Sequence, residues 1–598
     1  MSSPRSNVQF QGELCSAFAA APSAALHRYI GLRRLICLLV AWVALLGLAN
    51  AQHSGRMARP AQDRLPHKVT ASPQTRTELH GIVASGQLHD LRWPDFSDYR
   101  TPLEALYKSW DYDTLWIRNG FPTPQARQMI SILQQAESEG LMTEDYDSSR
   151  WPGRLAYLQV HRTPLDEARF DIALTVCTMR YVSDLSAGRP NPLHTEYGLV
   201  PGRKKIDLPT FIRESLLEGR NLQAALASLE PPLAEYHELQ QALVRYIRLA
   251  EEDDGQKLPD HHHIVFSGMT YDGVPRLVRL LRLVGDLPES AVVPADSQLY
   301  DGALVEAVQR FQKRHNLSPT GNLDMATLQE LNVPLSFRRD QIRIALEHYR
   351  WLNYDFRQPP VIINIPESRL YALNESGGVA LTMTVDVGQE YTRTPVLEDK
   401  IEYLVFRPYW IVPVNIQRDE IVPNIKYDRN YLSKGHFEVV TSVGKLVTNG
   451  RASAEVLQQL SASTLHVRQK PGSDNSMGLV KFVFPNRYSV YLHGTPSWGN
   501  YFDKSDRNVS HGCIHLKEPD KLAAWALRDK PEWTLERVQY AMREGQDNLK
   551  VNLAKPIPVL IVYVTAVVDE SGEVYFYPDI YGYDAELRRT LTKGYAPR

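Results

Sequence analysis

The stretch that decides the reading is YLHGTPSWGNYFDKSDRNVSHGCIHL, residues 491–516. A short β-type run, YSVYLH, ends at His493, and after a spacer the turn Ser510-His511-Gly512-Cys513 leads back into apolar residues. A thiol attacks a carbonyl well only as a thiolate, and a neighbouring imidazole both lowers its pKa and holds the proton. Cys513 is therefore the candidate nucleophile and His493 the candidate base. His511, two residues before the cysteine, is a second candidate participant. Gly512 lets the backbone pass close to a substrate oxygen, which makes the N–H groups of Gly512 and Cys513 candidate oxyanion donors. Trp498, Asn500 and Tyr501 in the spacer are candidates to line a substrate groove, packing being the alternative.

Cysteine usage supports a reactive role for Cys513. The chain has four cysteines, Cys15, Cys37, Cys177 and Cys513. Arg33-Arg34, the apolar run LICLLVAWVALLGL (35–48) and Ala49-Asn50-Ala51 have the three parts of an export signal. The run is shorter than the roughly 20 residues that span a bilayer, although an uncleaved anchor is the alternative. Cleavage after Ala51 removes the first two cysteines. Cys177 lies in the helically spaced apolar segment ARFDIALTVCTMRYV and reads as a buried, inert thiol. An exported chain without a disulfide framework that keeps one cysteine among His and Gly keeps it for chemistry. A Cys177–Cys513 disulfide is the alternative. The tract His261-His262-His263 has no spaced partner and reads as a solvated loop; the Cys and His of the active segment are zinc-ligand types, but with one cysteine and no second a structural zinc site is not expected. No metal and no cofactor is expected.

Length and pattern set the organisation. At about 150 residues per domain, 598 residues make three or four domains. A net charge of −2 argues against a protein that holds nucleic acid by neutralising phosphates. Residues 52–92 read as a polar linker and 93–270 as a helical scaffold with apolar residues at three- and four-residue intervals. Residues 271–335 form a small unit whose stripe Leu304, Val308 and Phe311 meets Leu317, Leu323 and Leu328, with Gly321 at a turn. A connecting helix follows (336–358), then a mostly-β region (359–553) and a strand-rich tail (554–598). A polar insertion at about 423–487 interrupts the β region and is a candidate lid, with Arg468 and Lys470 candidates to meet substrate carboxylates.

The pattern H-G-T, spacer, S-H-G-C resembles the active-site motif of the L,D-transpeptidase (YkuD-type) family. D-G-x-x-x-x-A-V-x-x-F-Q-x-x-H in the small unit resembles the three-helix peptidoglycan-binding domain of wall enzymes. With RPYWIVP, RQKPGSDNSMG, FPNRYSVYLHGTPS and the DIYG tail, the likeness extends to the long multidomain Gram-negative branch. It implies a multidomain α+β protein: helical scaffold, peptidoglycan-binding-like domain, and a mostly-β catalytic domain with a lid insertion. It also implies the chemistry. Cys513 attacks the L-centre carbonyl of a tetrapeptide stem and expels D-Ala, while His493, oriented by the Gly494 carbonyl, moves the proton. His511 and Gly512 shape the turn and oxyanion hole, and Ser510 and His515 stand on the substrate side. Another stem's amine resolves the thioester to a 3→3 cross-link, whereas water would make a carboxypeptidase. The implied partners are peptidoglycan stems as donor and acceptor, the implied location periplasmic, and the implied inhibitors carbapenems. Many members carry Arg or Asn two residues after the cysteine; here it is His515, and only a charged histidine would match an arginine. A papain-like endopeptidase would place its nucleophile before the histidine. A non-catalytic wall-binding scaffold has no reason to keep this residue set.

Overall fold

In the N-terminal region the chain organises around one long helix, Pro164–Ala187. Thr163 and Asp166 cap it reciprocally and Pro164 fixes its first turn. Nearly everything from Ala168 onward is buried, so its polar residues need partners. Asp171 finds three: Oδ1 accepts from Tyr107 Oη at 2.7 Å and Leu115 N at 2.9 Å, and Oδ2 from Trp116 N at 2.7 Å. Cys177 sits in this core as a free thiol whose pKa burial pushes far up. The computed structural model describes residues 71–189, 206–261, 263–294, 297–354, 356, 358–496, 502 and 507–593. The export-signal reading and Cys15 and Cys37 lie outside them. Among the described residues no helix is long and apolar enough to cross a membrane.

The linker expectation fails from Pro73 onward. Helix Pro73–Ser85, capped by Ser72, buries Thr75, Leu79 and Val83 in the helical core. Its apolar stripe is too thin to stand out from the polar sequence around it.

The small unit holds helices Val274–Leu283, Ala303–Arg314 and Met325–Leu331, with an antiparallel pair of short strands, Met269–Thr270 and Leu299–Tyr300. Leu304, Val308, Phe311, Leu323 and Leu328 close its core, while Leu317 stays half-buried. Gly321 turns at φ +72°. Helix Leu335–Arg350 then packs on helix Ala234–Glu252 and on the C-terminal hairpin Ala566–Val568/Val574–Phe576.

The mostly-β region is a nine-stranded sheet. Its strands are β1 (Val361–Asn364), β2 (Arg369–Leu373), β3 (Val379–Gly388), β4 (Leu397–Phe406), β5 (Val480–Val483), β6 (Leu492–His493), β7 (Asn508–Ser510), β8 (Ile514–Leu516) and β9 (Leu549–Val562). The order is β7-β3-β8-β6-β5-β4-β9-β1-β2, and β2 pairs back onto β3, so the sheet closes on itself. Closure leaves few edges to protect. Val385 and Val387 on β3, Val480 and Phe482 on β5, Leu492 on β6 and Ile514 and Leu516 on β8 all join one apolar core. The alternation of strands sends the intervening residues to the other face.

Two boundaries differ from the sequence reading. The excursion placed at about 423–487 lies between Phe406 and Val480. It contains its own four-stranded sheet (Leu446–Thr448, Phe437–Val440, His466–Gln469, Trp410–Ile411) and its own core. Val480–Val483 is instead a strand of the central sheet, because Val480 and Phe482 are needed inside it. At the other end β9 continues past residue 553, across a register shift between Asn552 and Ile557, so the strand-rich tail begins as part of the central sheet.

Candidate active site

Four ionisable residues stand in one row across four adjacent strands. Asp386 on β3 is the register partner of His515 on β8, His515 of His493 on β6, and His493 of Lys481 on β5. Directly opposed residues share a face, and this face is the one left by the apolar set above. Cys513 immediately precedes β8, and the Ile514 N–H donates to the Tyr491 carbonyl at 3.0 Å, which ties the Cys513 turn to the start of β6. Sheet register therefore brings together two segments that the sequence reading paired by motif.

His493 is buried, and its Nδ1 lies 2.5 Å from the Gly494 carbonyl oxygen. That contact makes Nδ1 the donor and leaves Nε2 as the basic nitrogen. Burial, then the neighbouring His515, hold its pKa well below the ordinary histidine value, so the ring is neutral. Cys513 is half-buried. Burial pushes its thiol up, opposed by the Tyr491 backbone N–H and the Lys481 ammonium. Lys481 is itself pushed down to about 8 by burial, and its Nζ sits 3.4 Å from the centre of the Tyr491 ring.

The turn that carries Cys513 is fixed from inside. Ser510, expected on the substrate side, is buried: its hydroxyl donates to the Cys513 carbonyl at 2.5 Å and accepts from the Gly512 N–H at 3.0 Å. The Gly512 N–H is thereby committed and drops out of the oxyanion set. Gly512 has φ +103°, and a Cβ there would lie 3.2 Å from the Arg393 carbonyl oxygen. Thr394 Oγ1 donates to the Gly512 carbonyl at 2.9 Å and accepts from Gly388 N at 2.8 Å. Tyr581, from the tail, locks that loop: its hydroxyl donates to the Gly388 carbonyl at 2.6 Å and accepts from Thr394 N at 3.1 Å.

His511 does not join the row. It is exposed, and its Nε2 lies 2.8 Å from Glu420 Oε1 on the turn Gln417–Ile421 of the insertion. A histidine read as a participant thus faces the insertion instead. Arg468 and Lys470 both pair with Glu438 inside the insertion, at 2.8 and 3.3 Å. Trp498, Asn500 and Tyr501 lie outside the described residues. Three neighbours of the site escaped the sequence reading. Asp386 and Lys481 arrive through register with distant strands. Gly478, at φ +60°, approaches Gly494 so closely that a Cβ would stand 2.5 Å from the Gly494 carbonyl carbon. Among the described residues no group of three His, Cys, Asp or Glu side chains is placed to hold a metal.

A neutral imidazole on the strand next to the one that a glycine turn and its thiol lead into is an arrangement suited to acyl transfer. Three family models match parts of the chain. Residues 359–547 match the family described as "L,D-transpeptidase catalytic domain", 270–331 the "Putative peptidoglycan binding domain" and 101–243 the "Scaffold domain". The chain thus combines a region similar to L,D-transpeptidase catalytic domains with a region similar to peptidoglycan-binding units and one similar to a helical scaffold. It is 31% identical over 240 residues to a "Putative L,D-transpeptidase" of Haemophilus influenzae, across 39% of this chain and 47% of that protein. The match therefore spans about half the length of that curated relative. A solved L,D-transpeptidase from Stackebrandtia nassauensis aligns over 51% of this chain and 96% of its own, at 13% identity. Its TM-score of 0.19 is too low for that likeness to carry weight.

Proposed function

We propose that this chain forms 3→3 cross-links in peptidoglycan through a thioester on Cys513. His493 Nε2 takes the thiol proton as sulfur attacks the L-centre carbonyl of a tetrapeptide stem. The oxyanion is met by the Cys513 N–H, which makes no hydrogen bond among the described residues. The proton passes to the leaving amine, and D-Ala departs. An amine of a second stem then attacks the thioester, gives a proton to His493, and restores the thiol. Export through residues 33–51 would put the enzyme outside the cytoplasm, where this substrate lies, and the 270–331 unit would keep it on the wall. A carbapenem would acylate the same sulfur.

The observation that supports this reading most strongly is the buried, neutral His493 held by the Gly494 carbonyl, one strand from the Cys513 turn. The test is mass spectrometry of the purified chain with disaccharide-tetrapeptide, beside Cys513→Ala. A cross-linked dimer that has lost D-Ala, absent from the variant, is the expected result. Free tripeptide alone would make the enzyme a carboxypeptidase. Neither product, together with no carbapenem adduct on Cys513, would leave only a wall-binding scaffold.

A further inference from the structure

A cavity of about 740 Å³ opens where the helical scaffold, the small unit, the central sheet and the tail meet. That volume is typical of small-ligand sites, which gather at such junctions. Its walls are the start of helix Ala234–Glu252, the C-terminal hairpin, Lys313 of the small unit, and the faces of β1, β2 and β9 opposite the sheet's own core. Cys513 and His493 are not part of it.

The lining is apolar and aromatic with a few fixed polar groups. Ile362, Leu560 and Val562 form a floor, and Tyr371, Tyr575 and Tyr577 line the cavity as half-buried rings. Glu367 is buried: Oε1 accepts from the Tyr371 hydroxyl at 2.5 Å and lies 3.5 Å from Arg369 Nε, while Oε2 accepts from Asn364 Nδ2 at 3.3 Å. Glu235 Oε2 accepts from the Tyr349 hydroxyl at 3.2 Å. Glu235 is exposed, yet enough protein surrounds it that desolvation pushes its carboxyl up, as in the wall of a deep cleft. Sign and shape select the ligand. Glu235, Glu367, Glu375, Asp569 and Glu570 outnumber Lys313 and Arg369, which disfavours an anion. The buried Glu367 already has Arg369 beside it, so it does not wait for a cation. A neutral ligand with apolar faces and many hydroxyls fits both facts. A sugar ring lays its C–H face on an aromatic ring and donates from its rim to carboxylates.

The cavity and the site share one face of the sheet. Tyr371 and Arg369 on β2 are the register partners of Thr382 and Thr384 on β3. Alternation puts Thr384 on the same face as Asp386, which opposes His515 on β8. From Arg369 to His515 is therefore two strand spacings across and two residues along, about 12 Å. In a tetrapeptide stem three residues separate the sugar from the attacked carbonyl, about 10–11 Å when extended.

We propose, building on the thioester reading above, that this cavity is a glycan site: it holds an N-acetylated disaccharide of the wall strand while the attached stem runs along the β2–β3 face to Cys513. The rings of Tyr575 and Tyr577 carry the sugar faces, and Glu235 takes sugar hydroxyls. The small unit then acts with the sheet, closing one side of a shared site rather than binding the wall alone.

Saturation-transfer NMR with the full chain and N,N′-diacetylchitobiose, a neutral disaccharide without a stem, reads the site in the absence of any reaction. Wild type should transfer to the sugar protons, and Tyr575→Ala and Glu235→Gln should each lower that transfer about threefold or more. D-Ala release reads what the site is used for. In wild type, KM for disaccharide-tetrapeptide should lie about tenfold below that for free tetrapeptide at similar kcat. Each variant should raise the first KM about tenfold and the second about twofold at most, with near-ultraviolet circular dichroism checking the fold. Transfer that is absent, or unchanged in both variants, would overturn the glycan site, as would equal KM values for the two substrates in wild type. Transfer to penta-lysine in place of the disaccharide, lost in Glu235→Gln, would overturn it in favour of a cationic ligand. Disaccharide binding that both variants weaken, with no D-Ala released from either substrate, would uphold the glycan site and sink the thioester reading.

Discussion

Lys481 ends the cross-strand row on the sulfur side, as a cation that burial has made easy to discharge. Its ammonium favours the Cys513 thiolate, while burial of the sulfur opposes it. Replacing it by methionine keeps the bulk and removes the charge. Alkylation of Cys513 by iodoacetamide at pH 7 should then slow roughly three- to tenfold. In wild type the ammonium is lost as pH rises through about 8, so the wild-type advantage should shrink above that pH. An unchanged alkylation profile in the variant would show that Lys481 does not act on the sulfur. His493 gives the opposite limit. Its pKa is lowered, so the neutral base persists below the usual histidine range, and the kcat of D-Ala release should show no acid limb between pH 7 and 6. A limb near pH 6.5 would contradict that.

At the scale of elements, the site depends on backbone pieces that permit no side chain and on hydroxyls that hold two groups at once. Gly478→Ala would force a Cβ into the Gly494 backbone at a positive φ. The expected loss is about 1–3 kcal/mol in urea unfolding, with a fall in D-Ala release because Gly494 is the residue that orients His493. Tyr581→Phe removes one donor and one acceptor from buried backbone groups. It should cost about 1–3 kcal/mol and lower kcat more than it changes KM, since the loop it ties supports Gly512. These elements also show what could be read beforehand. The nucleophile turn was legible because Ser, His, Gly and Cys act within four consecutive residues, and the small unit because one helix carries its stripe. The V-D-V of β3 and V-K-F of β5 show their alternation openly, yet the register that makes Asp386 and Lys481 neighbours of His515 and His493 is a long-range property. The surroundings of His511 and Ser510 were not legible for a related reason. Motif position says that they stand near the sulfur, not that one faces the insertion and the other points inward.

Across the molecule, parts distant in sequence are tied by buried charge. Arg314 of the small unit pairs with Asp286 and donates to the Val574 carbonyl of the C-terminal hairpin at 3.2 Å. Asp286→Ala would strand that guanidinium, at a cost of about 3–5 kcal/mol. Below the melting temperature the variant should keep wild-type alkylation of Cys513, because the pair lies away from the row; a parallel loss of alkylation would reveal coupling between the two regions. The Tyr581 lock carries a further consequence. Its hydroxyl grips a carbonyl 193 positions earlier in the chain. A polypeptide is made from its N-terminus onward, so the Cys513 turn lacks this brace until all of residues 359–553 and much of the tail have left the ribosome. Order of manufacture thus leaves the Cys513 turn the last part of its own region to be braced, whatever the order in which the sheet pairs.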